Sequence, residues 1–263
     1  MTNSPDVLWQ AIRDEVTASA ASEPMLASFL HMTVLRHKSF DDVLAFHLSS
    51  KLASQTMDAR ALMELINDAL HADPQIAISA RADIQAVRDR DPACKAYSTP
   101  LLYFKGYQAI QCYRVANWLW REGREALALH LQNRISEVFA VDIHPAANIG
   151  KGILLDHGTG FVVGETVVID DDVSILQEVT LGGTGKETGD RHPKIRSGVL
   201  IGAGAKILGN IEIGAGAKVG AGSVVLEPVP SHVTVVGVPA RIVGVCEQTQ
   251  PAQAMDHRIL KED

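Results

Sequence analysis

The chain is poor in several of the features that mark specialised proteins. Its 263 residues hold only three cysteines, Cys94, Cys112 and Cys246, and their scattered, odd-numbered placement excludes both a disulfide framework and the CxxC spacing of a metal or redox site. They read as buried or idle thiols. No stretch approaches the roughly 18 to 20 apolar residues that span a bilayer, and no opening segment joins a basic start, an apolar run and a small-residue cleavage site. The expectation is a soluble, cytoplasmic protein without a membrane partner. A basic excess is lacking too: 24 Lys and Arg stand against 31 Asp and Glu, a net charge of -7. The basic residues are dispersed among acidic ones, which argues against a nucleic-acid surface.

Glycine is scarce up to about Val141, where the apolar residues recur at helical spacing, as in Leu62, Leu65, Ile66, Ala69 and Leu70. This half reads as a stack of helices over residues 1–141. Asp73-Pro74 and Thr99-Pro100 each set a capping side chain before a first-turn proline, and Ser39 with Asp42 has the spacing of a capping box. Helix ends are expected near Asp91-Pro92 and at Gly123. One continuous helix from about Pro100 to Glu122, carrying Phe104, Tyr107, Tyr113 and Trp118, is expected as the central packing element.

From Ile143 the period changes to six: Ile143, Ile149, Leu155, Phe161, Val167, Val173 and Val179, then Ile195, Ile201, Ile207, Ile213, Val219 and Val225. Glycine follows at the next position or two beyond. A hexad with one inward aliphatic residue and a turn-compatible neighbour suits a short parallel strand followed by a bend, the signature of a parallel β-helix. No coil buries its apolar side alone, so coils stack, with strands about 4.8 Å apart. The coil domain is placed at 142–244. Glu165, Asp171 and Gln177 occupy a hexad place that is small or apolar elsewhere, which leaves either a distorted coil or side chains turned outward. The tail, 245–263, has no period and is expected to be mobile.

The beat breaks once, with a gap of sixteen between Val179 and Ile195. Taken as six plus ten, it places about ten extra residues in a loop that contains Arg191 and His192, and inserted loops on solenoids commonly build the binding face. The GTGK within it is not a phosphate-binding P-loop, because Thr180 stands where that motif needs glycine and Glu187 where it needs Ser or Thr.

Taken together, the runs VDIHPAANIGKGILLDHGTGFVVGET, GGTGKETGDRHPKIR, IGAGAKILGNIEIGAGAKVGAGSVV and GVPARIVG, with DIQAVRDRDPA and YSTPLLYFKGYQA upstream, resemble the serine O-acetyltransferase family over nearly all the chain up to about Gly244. The hexads alone indicate only the wider hexapeptide acyltransferase group; the helical half and the DRHP loop narrow it. The resemblance implies an N-terminal all-α domain followed by a left-handed β-helix, a trimer built through the coil, and a dimer of trimers joined by the helical domains. It also implies acetyl transfer from acetyl-coenzyme A to L-serine in cysteine biosynthesis, with acetyl-coenzyme A as cosubstrate and no permanently bound cofactor or metal.

That reaction needs a base for the hydroxyl proton and donors for the oxyanion of the tetrahedral intermediate. His157 is the leading base. The resemblance pairs it with Asp142, a pairing that eighteen-residue coils do not give, since they put position 139 beneath His157. His192 matches a residue that helps bind serine and shape the site. Arg191 can grip the serine carboxylate bidentately, and Asp91 and Asp156 match residues that receive the amine and hydroxyl end. Gly183, Thr184, Ala203 and Ala221 match the coenzyme A contact stretch, and Lys218 is placed to meet a phosphate. His144 reads as structural. No residue is placed as a covalent nucleophile, which points to direct transfer in a ternary complex. L-cysteine, with sulfur for the serine oxygen, is expected to enter the same pocket as a feedback inhibitor. Relatives that bind O-acetylserine sulfhydrylase insert a C-terminal isoleucine into it, whereas this chain ends Ile259-Leu260-Lys261-Glu262-Asp263, so that partner is not carried over.

Three rivals stay open on sequence alone. The same coil could serve another acceptor, or a metal-dependent carbonic anhydrase gathering His144, His157 and His192, or a scaffold that only assembles.

Overall fold

The computed structural model describes residues 6–246 and 248–258. Among the described residues eight helices precede the coil: α1 (Val7–Ser22), α2 (Pro24–Leu30) continued by a π-helical turn at His31–Leu35, α3 (Phe40–Leu52), α4 (Ala59–Ala72), α5 (Gln75–Arg90), α6 (Ser98–Tyr103), α7 (Lys105–Arg121) and α8 (Glu125–Phe139). The Ser39–Asp42 capping box forms with both bonds at 3.1 Å. Asp73 accepts from the Gln75 N–H, α5 stops with Asp91 as its C-cap, and Gly123 takes a left-handed φ of 73°.

The expected helix from Pro100 to Glu122 is two helices. Phe104 is extended, with φ -91° and ψ 107°, and separates α6 from α7. The bend lets α7 start against the coil, where Gly106 lies so close to the Leu155 carbonyl that any Cβ would collide with it. The start of α6 is not capped by Thr99. The Glu15 carboxylate on α1 accepts the Tyr97 and Ser98 N–H groups at 3.1 and 2.8 Å, a tertiary contact that supplies the cap.

Fifteen short strands wind into three faces. Face A stacks β1 (Val141–Ile143), β4 (Phe161–Val163), β7 (Thr180–Gly182), β10 (Lys206–Leu208) and β13 (Val224–Val225). Face B stacks β2 (Asn148–Ile149), β5 (Val168–Ile169), β8 (Lys194–Ile195) and β11 (Glu212–Ile213). Face C stacks β3 (Leu154–Leu155), β6 (Ser174–Ile175), β9 (Leu200–Ile201) and β12 (Lys218–Val219), then β14 (Val233–Gly237), which pairs antiparallel with β15 (Ala240–Val245). All other pairings are parallel, as hexads predict.

The register corrects the count of the loop. Each hexad buries two residues two apart, as in Val167 with Ile169 and Val173 with Ile175. Leu155 stacks on Ile175 and Val163 on Leu181, so the chain spends eight residues between Leu155 and Val163 where the next coil spends six. Two residues are therefore inserted at the corner holding His157. The loop itself adds eight, because Leu181 and Ile195 lie fourteen apart where their partners Val163 and Ile169 lie six apart. The same shift explains Glu165, Asp171 and Gln177. Past the insertion they fall at corners rather than inside, and the coil is regular there.

One apolar core runs from Trp9 to Val235 and joins the helices to the coil. Its polar rivet is Asp83 on α5, wholly buried, which accepts from Arg114 Nη2 at 2.8 Å, Gln111 Nε2 at 2.9 Å and the Ile153 N–H at 2.9 Å. Arg114 donates onward to the carbonyls of Ile149 and Gly150. The tail, expected to be mobile, folds back instead. Residues 251–254 form a short helix, α9 (Pro251–Ala254), with Ala252 fully buried: its N–H donates to the Gly198 carbonyl and its carbonyl accepts from Ser174 Oγ. The expected C-terminal feature at 259–263 lies outside the described residues.

Candidate active site on two edges of one face

Most of the predicted residues fall on two edges of face A. One edge is the corner from face A to face B, which holds 144–147, 164–167 and the loop 183–193. The other is the corner from face C to face A, which holds 156–160, 176–179, 202–205 and 220–223.

Arg191, His192, Gly183 and Thr184 sit on the first edge. The Arg191 guanidinium meets Glu165 with Nη2 to Oε2 at 2.7 Å, and its N–H donates to Thr166 Oγ1 at 3.1 Å. Lys194 Nζ donates to Asp190 Oδ1 and to the carbonyls of Thr166 and His192, tying the loop's return to the coil. The Nε2–Cδ2 edge of the His192 ring lies so close to Gly164 that any Cβ there would collide with it. Its Nδ1 accepts from the Thr166 N–H at 3.2 Å and lies 2.9 Å from Thr166 Oγ1. Burial first, then the Arg191 charge, hold the His192 pKa below its ordinary value, while the hydrogen bond from Arg191 holds the Glu165 carboxyl below its own. His144 shares this edge; its Nδ1 accepts the Ala146 N–H and its ring meets Trp120 edge-on.

The second edge holds Asp156, His157, Ala203 and Ala221. The inserted residues force a left-handed turn, with φ 58° at His157 and 74° at Gly158, a conformation that histidine tolerates better than most residues. It pushes the imidazole into solvent: the side chain is 72% exposed, and its nearest ionic neighbour is Asp156, Nε2 to Oδ1 3.9 Å. Lys105 Nζ bonds Thr159 Oγ1 and secures the turn to α7. Val87 on α5 and Cys94 just beyond it pack on Leu154 of β3, and Asp91 lies between them in the chain; its Oδ1 accepts from the Ala93 N–H at 2.8 Å.

Two predicted residues stand elsewhere than expected. Asp142 points out from the middle of β1 and accepts from Gln132 Nε2 at 2.7 Å, and no hydrogen bond or ion pair joins it to His157 among the described residues. Lys218, on face C, is buried, and its Nζ donates to the Arg258 carbonyl of the folded-back tail. Sequence reasoning missed Glu165, Thr166 and Gly164 as partners of the loop. In the sequence Glu165 stands out only as a misfit of the repeat. His157 on one edge and His144 and His192 on the other do not gather within the chain, and no group of three or more His, Cys, Asp or Glu residues suited to a metal ion occurs among the described residues.

A stacked coil of hexads, with one excursion carrying a cation and an imidazole and an opposite edge carrying an exposed imidazole beside a carboxylate, defines a hexapeptide-repeat acyltransferase. Residues 192–227 match the family model of the bacterial transferase hexapeptide, and residues 8–112 match that of the serine acetyltransferase N-terminal region. The chain belongs to the serine acetyltransferase family and is an acyltransferase enzyme. It is 62% identical to the serine acetyltransferase of Salmonella typhimurium over 95% of this chain and 92% of that one. Among solved structures, the Neisseria gonorrhoeae serine acetyltransferase in complex with serine is 61% identical, covers 91% of this chain and 98% of its own, and has a TM-score of 0.87. A serine acetyltransferase in complex with cysteine is 58% identical over 96% and 98% of the two chains, with a TM-score of 0.94. The Brucella abortus enzyme in complex with coenzyme A is 51% identical over 91% and 96%, with a TM-score of 0.90.

Proposed function

We propose that the chain transfers acetyl from acetyl-coenzyme A to the L-serine hydroxyl, in a site completed by a second copy of itself. The observation that carries this is the split of the residues across face A. His157 with Asp156 and Asp91, and Arg191 with His192, lie on opposite edges of one chain, so a three-fold arrangement that sets one copy's first edge against the next copy's second edge closes the constellation. A trimer, and a dimer of trimers through the helical domains, is the assembly this reading requires. Light scattering on purified protein tests it.

Within that site Arg191 holds the serine carboxylate, while Asp91 and Asp156 take the amine and hydroxyl end. His157 removes the hydroxyl proton as the serine oxygen attacks the thioester carbon; the C–O bond forms, and a tetrahedral oxyanion results. Collapse breaks the C–S bond, and the coenzyme A sulfur receives the proton. Asp142 orients His157 only across a subunit boundary, since within the chain it holds Gln132. Gly183 and Thr184 on one edge, with Ala203 and Ala221 on the other, offer backbone to the slim pantetheine arm. Lys218 meets a phosphate once the tail releases it. No protein nucleophile intervenes, so rapid quenching with acetyl-coenzyme A alone yields no acetylated enzyme.

The reading places the protein in cysteine biosynthesis, in the cytoplasm, with L-cysteine competing for the serine pocket. The complex with cysteine of a relative supports that last point. The sulfhydrylase is not proposed as a partner. Free thiol release from acetyl-coenzyme A, compared across serine, homoserine, a galactoside and chloramphenicol, decides the acceptor: serine alone supports turnover, and equal turnover with any other acceptor would overturn the assignment.

A further inference from the structure

The contacts around His192 assign its proton. A backbone N–H can only donate, so the Thr166 N–H pointing at Nδ1 at 3.2 Å requires a lone pair there. In a neutral imidazole the proton then sits on Nε2. The Thr166 hydroxyl reinforces this: its oxygen accepts from the Arg191 N–H, and its hydrogen can turn to Nδ1 at 2.9 Å, with the Asp190 carboxylate as the competing acceptor. Gly164, lacking a Cβ, leaves the room that this ring position needs. Nε2 has no hydrogen-bond partner among the described residues. An N–H donor without a partner, in the wall of a site beside a guanidinium, calls for an anionic oxygen.

We propose that Thr166 is a positioning residue that fixes His192 as a neutral Nε2–H donor, so that His192 gives a hydrogen bond and never acts as the base. This deepens the acetyl-transfer reading and rests on it. The acceptor is an anionic oxygen of the reacting complex, either the serine carboxylate beside Arg191 or the oxyanion of the tetrahedral intermediate. No proton leaves His192 in either case, and His157 is the single base. The charged groups facing the ring favour the neutral form on balance. Arg191 and Lys194 oppose protonation, whereas Glu165 and Asp190 favour it but are each engaged by one of those two cations; His144 faces the same Glu165.

The test compares full-length variants that assemble like the wild type. His192→Gln keeps an N–H donor near the Nε2 position but cannot act as a base, so it retains at least about tenfold more turnover than His192→Ala, a single charge-assisted hydrogen bond. Thr166→Val, which loses the hydroxyl, lowers kcat or raises KM by about three- to tenfold and adds a new acid limb to the pH profile as the ring becomes able to take a second proton. Thr166→Ser restores both. A His192→Ala loss in the KM for serine identifies the carboxylate as the acceptor, and a loss in kcat identifies the oxyanion. His192→Gln no better than His192→Ala, or Thr166→Val with the wild-type pH profile, overturns the proposal. Nitrogen-15 spectra of ring-labelled histidine, with the His192 signals assigned by their loss in His192→Gln, read the tautomer without any turnover. Protonated Nδ1 in the resting enzyme also overturns the proposal, while a wild type that releases no thiol with serine refutes the acetyl-transfer reading instead.

Discussion

Replacing Asp83 by alanine tests how the helical half holds the coil. Asp83 is fully buried and Arg114 nearly so. Removing the carboxylate leaves the guanidinium with two carbonyls and Gln111 Oε1 but no countercharge, and it strands the Gln111 amide and the Ile153 N–H. Breaking a buried pair from one side costs about 3–5 kcal/mol. The stranded donors keep the loss toward the upper end, since an unpartnered buried N–H costs about 1–3 kcal/mol by itself and such terms do not simply add. At about 2–4 °C per kcal/mol for a chain of this size, melting falls by about 8–20 °C. The assay is thermal melting by circular dichroism at one fixed protomer concentration, because assembly makes the midpoint concentration-dependent. Asp83→Asn, which keeps the shape and one acceptor oxygen, loses less. Asp83→Leu with Arg114→Met removes both charges and recovers the part of the loss that comes from the uncompensated guanidinium, while the Gln111 amide and the Ile153 N–H stay unpartnered. A shift under about 2 °C for Asp83→Ala, or a double variant no more stable than the single one, would refute the reasoning that the rivet is a charge pair rather than mere filling.

Gly164→Ala drives a methyl into the His192 ring; displacing the ring by about an ångström lowers thiol release about a hundredfold, and a variant within threefold of wild type shows that the ring's seat is unimportant. His157→Ala removes the base and lowers kcat about 10²- to 10⁴-fold with an assembled oligomer and little change in the KM for serine. His47, buried against Gln108, has its pKa pushed down to about 4 from 6.5 by burial first and then by Lys51. The unfolded chain therefore binds the extra proton between those values, so this contribution is complete above pH 6.5 and is lost as pH falls toward 4, about 3 kcal/mol in all; urea unfolding from pH 7 to 4.5 shows the fall, and His47→Gln flattens it.

The repeat was legible because each coil must fill its own interior, and only an aliphatic residue every sixth position does so. What the period hid was the two-residue insertion at His157. Both inward places of a hexad take aliphatic side chains, so a count by sixes passes from Leu155 to Phe161 without a missed beat while sliding from one inward place to the other. The slide then charged the loop with two residues that belong to the His157 turn, and it made Glu165 look misplaced. His157 and His192 were legible through their local contexts and the family resemblance. The Glu165–Arg191 pair was not, because the two meet across 26 residues of chain only after the register is known. Nor was the capping of α6 by Glu15, 83 residues away from Ser98.

The insertion is what turns a structural corner into a site. An uninserted corner of face C to face A, such as 176–179, needs only one left-handed residue, Glu178, to reach the next strand. At 156–160 the two added residues demand two consecutive left-handed positions, His157 and Gly158, and the loop so formed projects a polar ring away from the stack rather than along it. The eight-residue excursion does the same on the opposite edge, where Glu165 and Thr166 hold Arg191 and His192 from below. Both departures leave the stacking beneath and above in register, so the coil can carry reactive side chains without weakening its core. They leave from opposite edges of one face, so under the proposed reading neither completes the site alone. In the trimer we propose, copies that meet along face A put the two excursions together, and the coupling of catalysis to assembly then follows from where the period was broken.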